Sequence, residues 1–220
     1  MELPTSLHGR LYLLAYDRER RRFVIENREY FEFALRAAML TDLYLSGHLE
    51  DRRGRPYPTS DVEPLDDPLL RAMLDRLGSD GRKDWAEVIA DRRTGTTRLV
   101  RDQLEATGGL AVERRVLGMS SSPRLTGYEE ASLRYLSDQV SQAVHNAIDG
   151  LPAAPRPLAA GLLAVVGQMP TVFTRAEWSR HRQRLRELTF AAIEPIEGLH
   201  WAIDRYLESK RRDVREGLMW

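Results

Sequence analysis

The run EYFEFALRAAMLTDLYLSG, residues 29–47, constrains the fold of this 220-residue chain more than any other segment. Its apolar side chains recur at helical spacing, with Leu35, Met39 and Leu43 four residues apart. Gly47 stands where the C-cap of a helix is expected. A helix of this kind buries one face and exposes the other. The run therefore predicts a long amphipathic helix.

Most of the remaining chain also has helical patterns. Leu49 follows the helix of residues 29–47 and is expected to start a short strand, and the segment RERRRFVIEN, residues 18–27, is expected to be extended or a turn. No linker rich in Gly, Ser or Pro separates two halves, so we expect a single domain over residues 1–220. Further helices are predicted over residues 7–17, 67–79, 82–93, 96–107, 129–148, 158–169, 175–188 and 197–215.

Composition excludes several classes of protein. The formal net charge is zero, so the overall balance does not call for nucleic acid as a partner, and electrostatic binding requires a local patch. Cysteine is absent, which removes disulfides and thiol catalysis and fits a reducing cytoplasm. The start of the chain lacks a secretory pattern, and the most apolar stretch, Leu158 to Met169, is too short to span a bilayer and predicts a buried helix.

Motifs of catalysis are missing from the sequence. The five histidines are scattered, as is typical of surface or helix-end residues, and no HExxH pair is present. Neither a glycine-rich phosphate loop nor a GxSxG elbow occurs. Acidic residues alternate with arginines, which is typical of solvated helices. We therefore expect a protein that is not an enzyme and that requires no cofactor or metal.

Two arginines in the segment TGTTRLVRDQL, residues 94–104, raise a different possibility. Arg98 and Arg101 lie in the first turns of a predicted helix, where the helix dipole disfavours positive charge. Asp102 and Glu105 each follow one of these arginines by four residues, so two surface ion pairs are one interpretation, although the order of base before acid is the weaker one. A bound phosphate is the other, because helix N–H groups and two guanidinium groups form an anion site.

Three other features allow two interpretations each. Arg36 follows Glu32 by one turn, as in an ordinary helix pair, but lies at the border of the apolar face. The apolar sequence VLGM, Val116 to Met119, occupies a predicted hairpin tip. It either packs on something outside the chain, namely a partner, a neighbouring subunit or a membrane surface, or folds back onto the protein's own core. One face of the predicted helix at residues 175–188 carries the cations Arg175, Arg182 and Arg186. This face is either exposed to solvent or a binding surface.

The order of several segments resembles the Golgi phosphoprotein 3 family of phosphoinositide-binding peripheral membrane proteins, which has relatives in actinobacteria. The segments are RLYLLAYD, the run ALRAAMLTDLYLSGHL, DWAEVI, the pair Arg98 and Arg101 before a glycine-terminated helix, and GLHWAIDRYL. The likeness covers nearly the whole chain. It implies a mainly α fold, in which a central helix bundle is surrounded by amphipathic helices and carries a β-hairpin.

The resemblance also implies a site for phosphatidylinositol 4-phosphate or a related anionic phospholipid. The family pocket has three arginines and one tryptophan; the arginines correspond to Arg36, Arg98 and Arg101, and the tryptophan position to Asn27. The family hairpin corresponds to Leu110 through Leu125, and is implied to contact a membrane or to join subunits. Its relevant residues here are Arg114, Arg115, Val116, Leu117 and Met119.

Two functions are consistent with the sequence. The first is an anionic-lipid-binding peripheral protein on the cytoplasmic face of a membrane. In this interpretation the hairpin can join copies of the chain into a homo-oligomer, and nucleic acid is not a partner. The second is a soluble protein-interaction scaffold of the same fold that has lost the lipid site. Convergence of the three arginines on an open pocket favours the first, and occupation of those arginines by neighbouring acids favours the second.

Overall fold

The computed structural model describes residues 1–60, 62–79, 83–91, 95–112 and 123–217. Over these residues the protein is mainly α, as predicted, with small strand pairs at its surface. The nine helices of this described part are α1 (Leu7–Leu14), α2 (Arg28–Leu45), α3 (Pro68–Ser79), α4 (Trp85–Ile89), α5 (Thr96–Ala106), α6 (Glu130–Ile148), α7 (Pro155–Val166), α8 (Arg175–Phe190) and α9 (Glu194–Gly217).

Helix α2 is the central element of the fold. The Asn27 side chain caps its first turn, and the chain leaves it through Gly47 in the left-handed region, where His48 N–H bonds to Leu43 C=O at 2.8 Å. The helix packs against α1, α3, α7 and α9. Its side chains are buried on nearly every side, including charged Arg36 and Asp42. The predicted helix is confirmed, but the expectation of an exposed face is wrong, because neighbouring helices surround it.

Helix α7 confirms the predicted buried helix, although it begins at Pro155, three residues before Leu158. Pro at the first helical position suits an N-terminus, since its missing N–H needs no partner there. Gly161 allows α7 to approach α6 closely: a Cβ atom at this position would lie 2.2 Å from Val144 Cγ2. The small residue therefore sets the spacing between these two helices.

Three antiparallel strand pairs connect the helices in the described part of the chain. The segment expected to be extended or a turn, residues 18–27, supplies the turn and β2 of the first pair. Its other strand lies within the helix predicted over residues 7–17, so that helix ends earlier than predicted, at Leu14. The strand expected at Leu49 begins the second pair. The base of the predicted hairpin forms the third, with Leu110 opposite Leu125. The pairs are β1 (Tyr16–Asp17) with β2 (Arg22–Phe23), β3 (Leu49–Asp51) with β4 (Pro56–Pro58), and β5 (Leu110–Val112) with β6 (Pro123–Leu125).

The tip of the third hairpin lies outside the described residues. It contains all five residues that the resemblance assigns to membrane or subunit contact, so their role stays a prediction. They are Arg114, Arg115, Val116, Leu117 and Met119.

Buried apolar side chains form a cluster that extends from Leu7 in α1 to Ile203 in α9. Helix α9 takes part by packing on α2, α4, α7 and α8. The organisation of the chain as a single domain stays a prediction that this cluster supports. No helix within the described residues is both long and apolar enough to cross a membrane.

Candidate functional site

The amino end of α5 is held by a carboxylate from a distant part of the chain. Gly95, with φ of 57°, is the N-cap and has no side chain that could accept a bond from the first turn. Glu32 of α2 supplies the acceptor instead: its two carboxylate oxygens lie 3.3 and 3.2 Å from the backbone nitrogen of Thr97. An anion at this position is stabilised by the helix dipole. The anion that α5 requires is therefore provided by the protein itself.

Arg36 lies beneath the start of α5 and is only 2% exposed. Its Nε donates to the carbonyl oxygen of Ile89 at 2.5 Å, and one terminal nitrogen lies 3.3 Å from Thr96 Oγ1. The same nitrogen is 3.6 Å from the carboxylate of Glu32, so the expected helix pair is present. Burial lowers the pKa of Arg36, while the charge of Glu32 acts to raise it. This guanidinium connects α2, α4 and α5 inside the protein.

Arg98 and Arg101 lie on the outer surface of α5. Arg98 is exposed and, within the described residues, has no ion pair. The Arg101 side chain is 30% exposed and donates to Asp102 Oδ1 at 2.9 Å. The pairs that the ion-pair interpretation required, Arg98 with Asp102 and Arg101 with Glu105, are therefore not formed in the described structure, and Arg101 pairs with Asp102 instead.

Arg36 differs from Arg98 and Arg101 in its surroundings. Arg36 contacts Thr96, which is two residues before Arg98, yet its guanidinium is enclosed whereas that of Arg98 faces solvent. A small cavity beside Arg36 is bordered by Met73 and Val88 and does not include the α5 arginines among its lining residues. The structure thus separates one interior cation from two surface cations.

Asn27, to which the resemblance assigns the position of the family tryptophan, has a local structural role. Its Oδ1 atom accepts the backbone N–H groups of Glu29 and Tyr30 at 3.1 and 3.2 Å. This bonding satisfies two donors at the start of α2. The side chain is half-buried and supplies no aromatic surface.

A buried polar cluster that the sequence did not indicate fixes the opposite face of α5. His8 lies at the start of α1, as expected of a helix-end histidine, but it is fully buried rather than at the surface, because α1 is covered by α2, α5, α6 and α7. Its Nε2 atom lies 3.0 Å from Gln103 Oε1 of α5 and 3.4 Å from Asp67. Asp42 accepts the Leu7 N–H at 2.6 Å, and burial raises the pKa of its carboxyl. Only packing between distant segments brings these groups together, so no local pattern could have revealed them.

The fold and the site define a mainly helical protein that presents arginines on the first turns of a helix anchored from within. Comparison with known proteins identifies the family. The family model of Golgi phosphoprotein 3 matches residues 7–201, which include every described element from α1 to the first part of α9. The chain belongs to the Golgi phosphoprotein 3 family. No curated protein matches it.

Proposed function

We propose that this protein binds the headgroup of an anionic phospholipid, with phosphatidylinositol 4-phosphate as the first candidate, as a non-enzymatic peripheral protein on the cytoplasmic face of a membrane. Membership of the Golgi phosphoprotein 3 family supports the general assignment. The observation that carries the proposal is the placement of Arg98, exposed and without an ion pair among the described residues, on the first turn of α5.

Stability does not explain the position of Arg98. A cation near a helix N-terminus costs about 0.3–1 kcal/mol at an exposed site. Arg98 forms no ion pair within the described residues, so no direct acidic partner offsets that cost. A bound phosphate would offset it, because guanidinium groups form short, charge-assisted bonds to phosphate oxygens.

Arg101 would be the second contact. Its bond to Asp102 is partly solvated, and exposed ion pairs contribute only about 0.2–1 kcal/mol. A phosphate that accepts two bonds from the guanidinium can therefore replace Asp102 at small cost. Because Glu32 already occupies the Thr97 N–H, we expect the side chains rather than the helix amides to hold the phosphate.

Arg36 and Asn27 enter this proposal in supporting roles. Arg36 positions the start of α5 through its bonds to Ile89 and Thr96. Asn27 caps α2 and lacks the aromatic ring that the resemblance places there, so we expect phosphate charge to contribute more than recognition of the inositol ring. The hairpin residues 114–119 complete the proposal as the segment for membrane insertion or homo-oligomer contact.

Co-sedimentation with vesicles tests the proposal. The wild type should bind phosphatidylcholine vesicles containing phosphatidylinositol 4-phosphate, and binding should weaken as salt increases. The variant Arg98→Ala with Arg101→Ala should bind at least tenfold more weakly, since two charge-assisted contacts are lost. Arg180→Ala with Arg211→Ala is the matched control, because both residues are exposed and lie on other helices. Equal retention of wild type and α5 variant at low salt would contradict the proposal.

A protein-interaction scaffold without lipid binding is the alternative function. Two observations favour it: Glu32 occupies the end of α5, and Asp102 binds Arg101. This alternative predicts no preference for any vesicle and a protein partner whose affinity is unchanged by the α5 variant. Neither function involves nucleic acid, a cofactor or a metal.

A further inference from the structure

The turn between β1 and β2 concentrates positive charge at the surface. It contains Arg18, Arg20, Arg21 and Arg22 against the acids Asp17 and Glu19, an excess of two positive charges. Arg20 donates to Asp17 at 2.7 Å. Within the described residues the other three arginines have no ion pair, and Arg21 and Arg22 are exposed. The turn therefore presents cations that its own acids do not neutralise.

Arg21 has a backbone conformation that an arginine adopts at a cost. Its φ angle of 52° lies in the left-handed region, where glycine is accommodated without strain. Strain of this kind persists where the surrounding structure fixes the backbone, and it recurs at functional sites. Arg53 and Gln168 share this conformation, so the strain at Arg21 supports a functional role only together with the charge of the turn.

An aromatic cluster holds the turn in place. The Phe23 ring lies 5.2 Å from the rings of both Tyr12 and Tyr16, and Tyr12 lies 5.8 Å from Phe31. Val24 N–H bonds to Ala15 C=O at 2.8 Å and closes the base of the hairpin. The arginines therefore extend from an ordered base rather than from a long loop.

The same aromatic cluster lies beside α5 and the third hairpin. Helix α1, which carries Tyr12, packs against α5, and α5 packs against β5 of that hairpin. Strand β2 packs against β6, which carries exposed Arg124. The turn, α5 and the base of the third hairpin thus lie beside one another.

We propose that the β1–β2 turn is a second membrane contact, which recognises the negative charge of a lipid bilayer without selecting a headgroup. Solvated arginines spread over a turn lack the convergent geometry of a shaped site and match a diffuse anionic surface. The inference rests on the proposed function, since it assumes that the neighbouring α5 surface faces a membrane. The two contacts differ in chemistry, because α5 binds one phosphate and the turn responds to surface charge.

The test uses two kinds of phosphatidylcholine vesicle at low salt, one with phosphatidylserine alone and one with phosphatidylinositol 4-phosphate. Each arginine near an anionic surface strengthens binding by about fivefold, so Arg21→Gln with Arg22→Gln should weaken binding to both vesicles roughly 25-fold. The control Arg180→Gln with Arg211→Gln removes the same charge elsewhere and should lose less than threefold. The α5 variant, by contrast, should lose most of its binding on the phosphoinositide vesicles.

A single substitution separates binding from folding. Arg21→Gly relieves the left-handed strain, so this variant should melt at a higher temperature than the wild type and yet bind phosphatidylserine vesicles about fivefold more weakly. Wild-type binding by both turn variants on both vesicles would overturn the inference while leaving the α5 proposal intact. Loss of binding by the turn variants with none by the α5 variant would reject the α5 site instead. Tighter binding of the wild type to a single-stranded RNA oligonucleotide than to either vesicle would also overturn it.

Discussion

The carboxylate of Glu32 in α2 accepts the backbone N–H of Thr97 at 3.2 Å and thereby occupies the amino end of α5. Sixty-five residues separate the two groups along the chain. From the sequence, Glu32 is only the partner of Arg36, and that pair is also present at 3.6 Å. The one carboxylate therefore serves both an arginine and a helix end, close to the surface proposed to hold a phosphate.

Replacing Glu32 by Gln should affect stability and lipid binding in opposite directions. The variant should lose about 1–3 kcal/mol in the free energy of unfolding, because the buried Arg36 guanidinium loses its acidic partner and a favourable charge at the helix N-terminus is removed. Its affinity for phosphatidylinositol 4-phosphate vesicles should rise severalfold, since a negative charge near Arg98 is gone. Urea denaturation and co-sedimentation measure the two effects.

Glu105→Gln provides the matched control for this change. Glu105 lies in the last turn of the same helix, where a negative charge is unfavourable, so its removal should not lower stability. Equal losses of stability in both variants would show that the position of Glu32 at the helix end has no special effect.

Arg36 and Arg98 should differ sharply in their contribution to folding. Arg36→Met removes a buried cation and leaves the Ile89 carbonyl and the Glu32 carboxylate without their partner, which should cost about 3 kcal/mol. Arg98→Met should change stability by no more than about 0.5 kcal/mol, as is usual for surface substitutions. Chemical denaturation of both variants checks the prediction, and similar midpoints would contradict the interior role of Arg36.

Asn27 should contribute to stability as a helix cap. Asn27→Ala leaves the N–H groups of Glu29 and Tyr30 without an acceptor and should cost about 1 kcal/mol. Asn27→Ser keeps an acceptor oxygen and should retain most of that stability. Thermal unfolding of the Asn27→Ala and Asn27→Ser variants measures the difference. If the serine variant is as unstable as the alanine variant, the capping bond contributes little.

The ion pair between Asp84 and Arg205 predicts a dependence of stability on pH. Burial acts to raise the pKa of Asp84, but bonds from Arg205, at 2.8 and 3.1 Å, and from Glu87 N–H hold it below the ordinary value of 3.8. A carboxyl whose pKa is depressed in the folded protein contributes its full stabilisation above the unfolded pKa. This contribution is lost as the pH falls from the unfolded pKa through the folded one.

Asp84→Asn keeps a capping side chain but loses the charge. We expect it to be about 0.5–1 kcal/mol less stable than the wild type at neutral pH, since the pair is partly solvated. The difference should shrink as pH falls below 3.8. Chemical denaturation at a series of pH values measures this difference in stability, with Arg205→Gln as the variant of the other partner. A difference that grows as the pH falls would contradict a depressed pKa for Asp84.

The sequence alone was sufficient for the presence of the helices and for the class of fold, although α1 ends at Leu14 and α4 at Ile89, before the predicted ends. The apolar spacing of residues 29–47 predicted α2, the apolar run before Met169 predicted α7, and the pattern after Gly109 predicted the third hairpin. These elements depend on periodicity and on capping groups within a few residues, which a single sequence displays. The family resemblance further placed Arg36, Arg98 and Arg101 in one set, and the family assignment is confirmed.

Only the tertiary structure decided which charges face solvent. Arg36 and Arg98 both lie on helices, yet their exposure differs. Arg36 is buried and donates to the carbonyl group of Ile89, 53 residues away, whereas Arg98 is exposed. His8 gave no sign of burial in its own segment, but four helices cover it. Local sequence sets the direction in which a side chain leaves its helix, whereas exposure depends on what packs there from distant parts of the chain, and that packing exists only once the fold is complete.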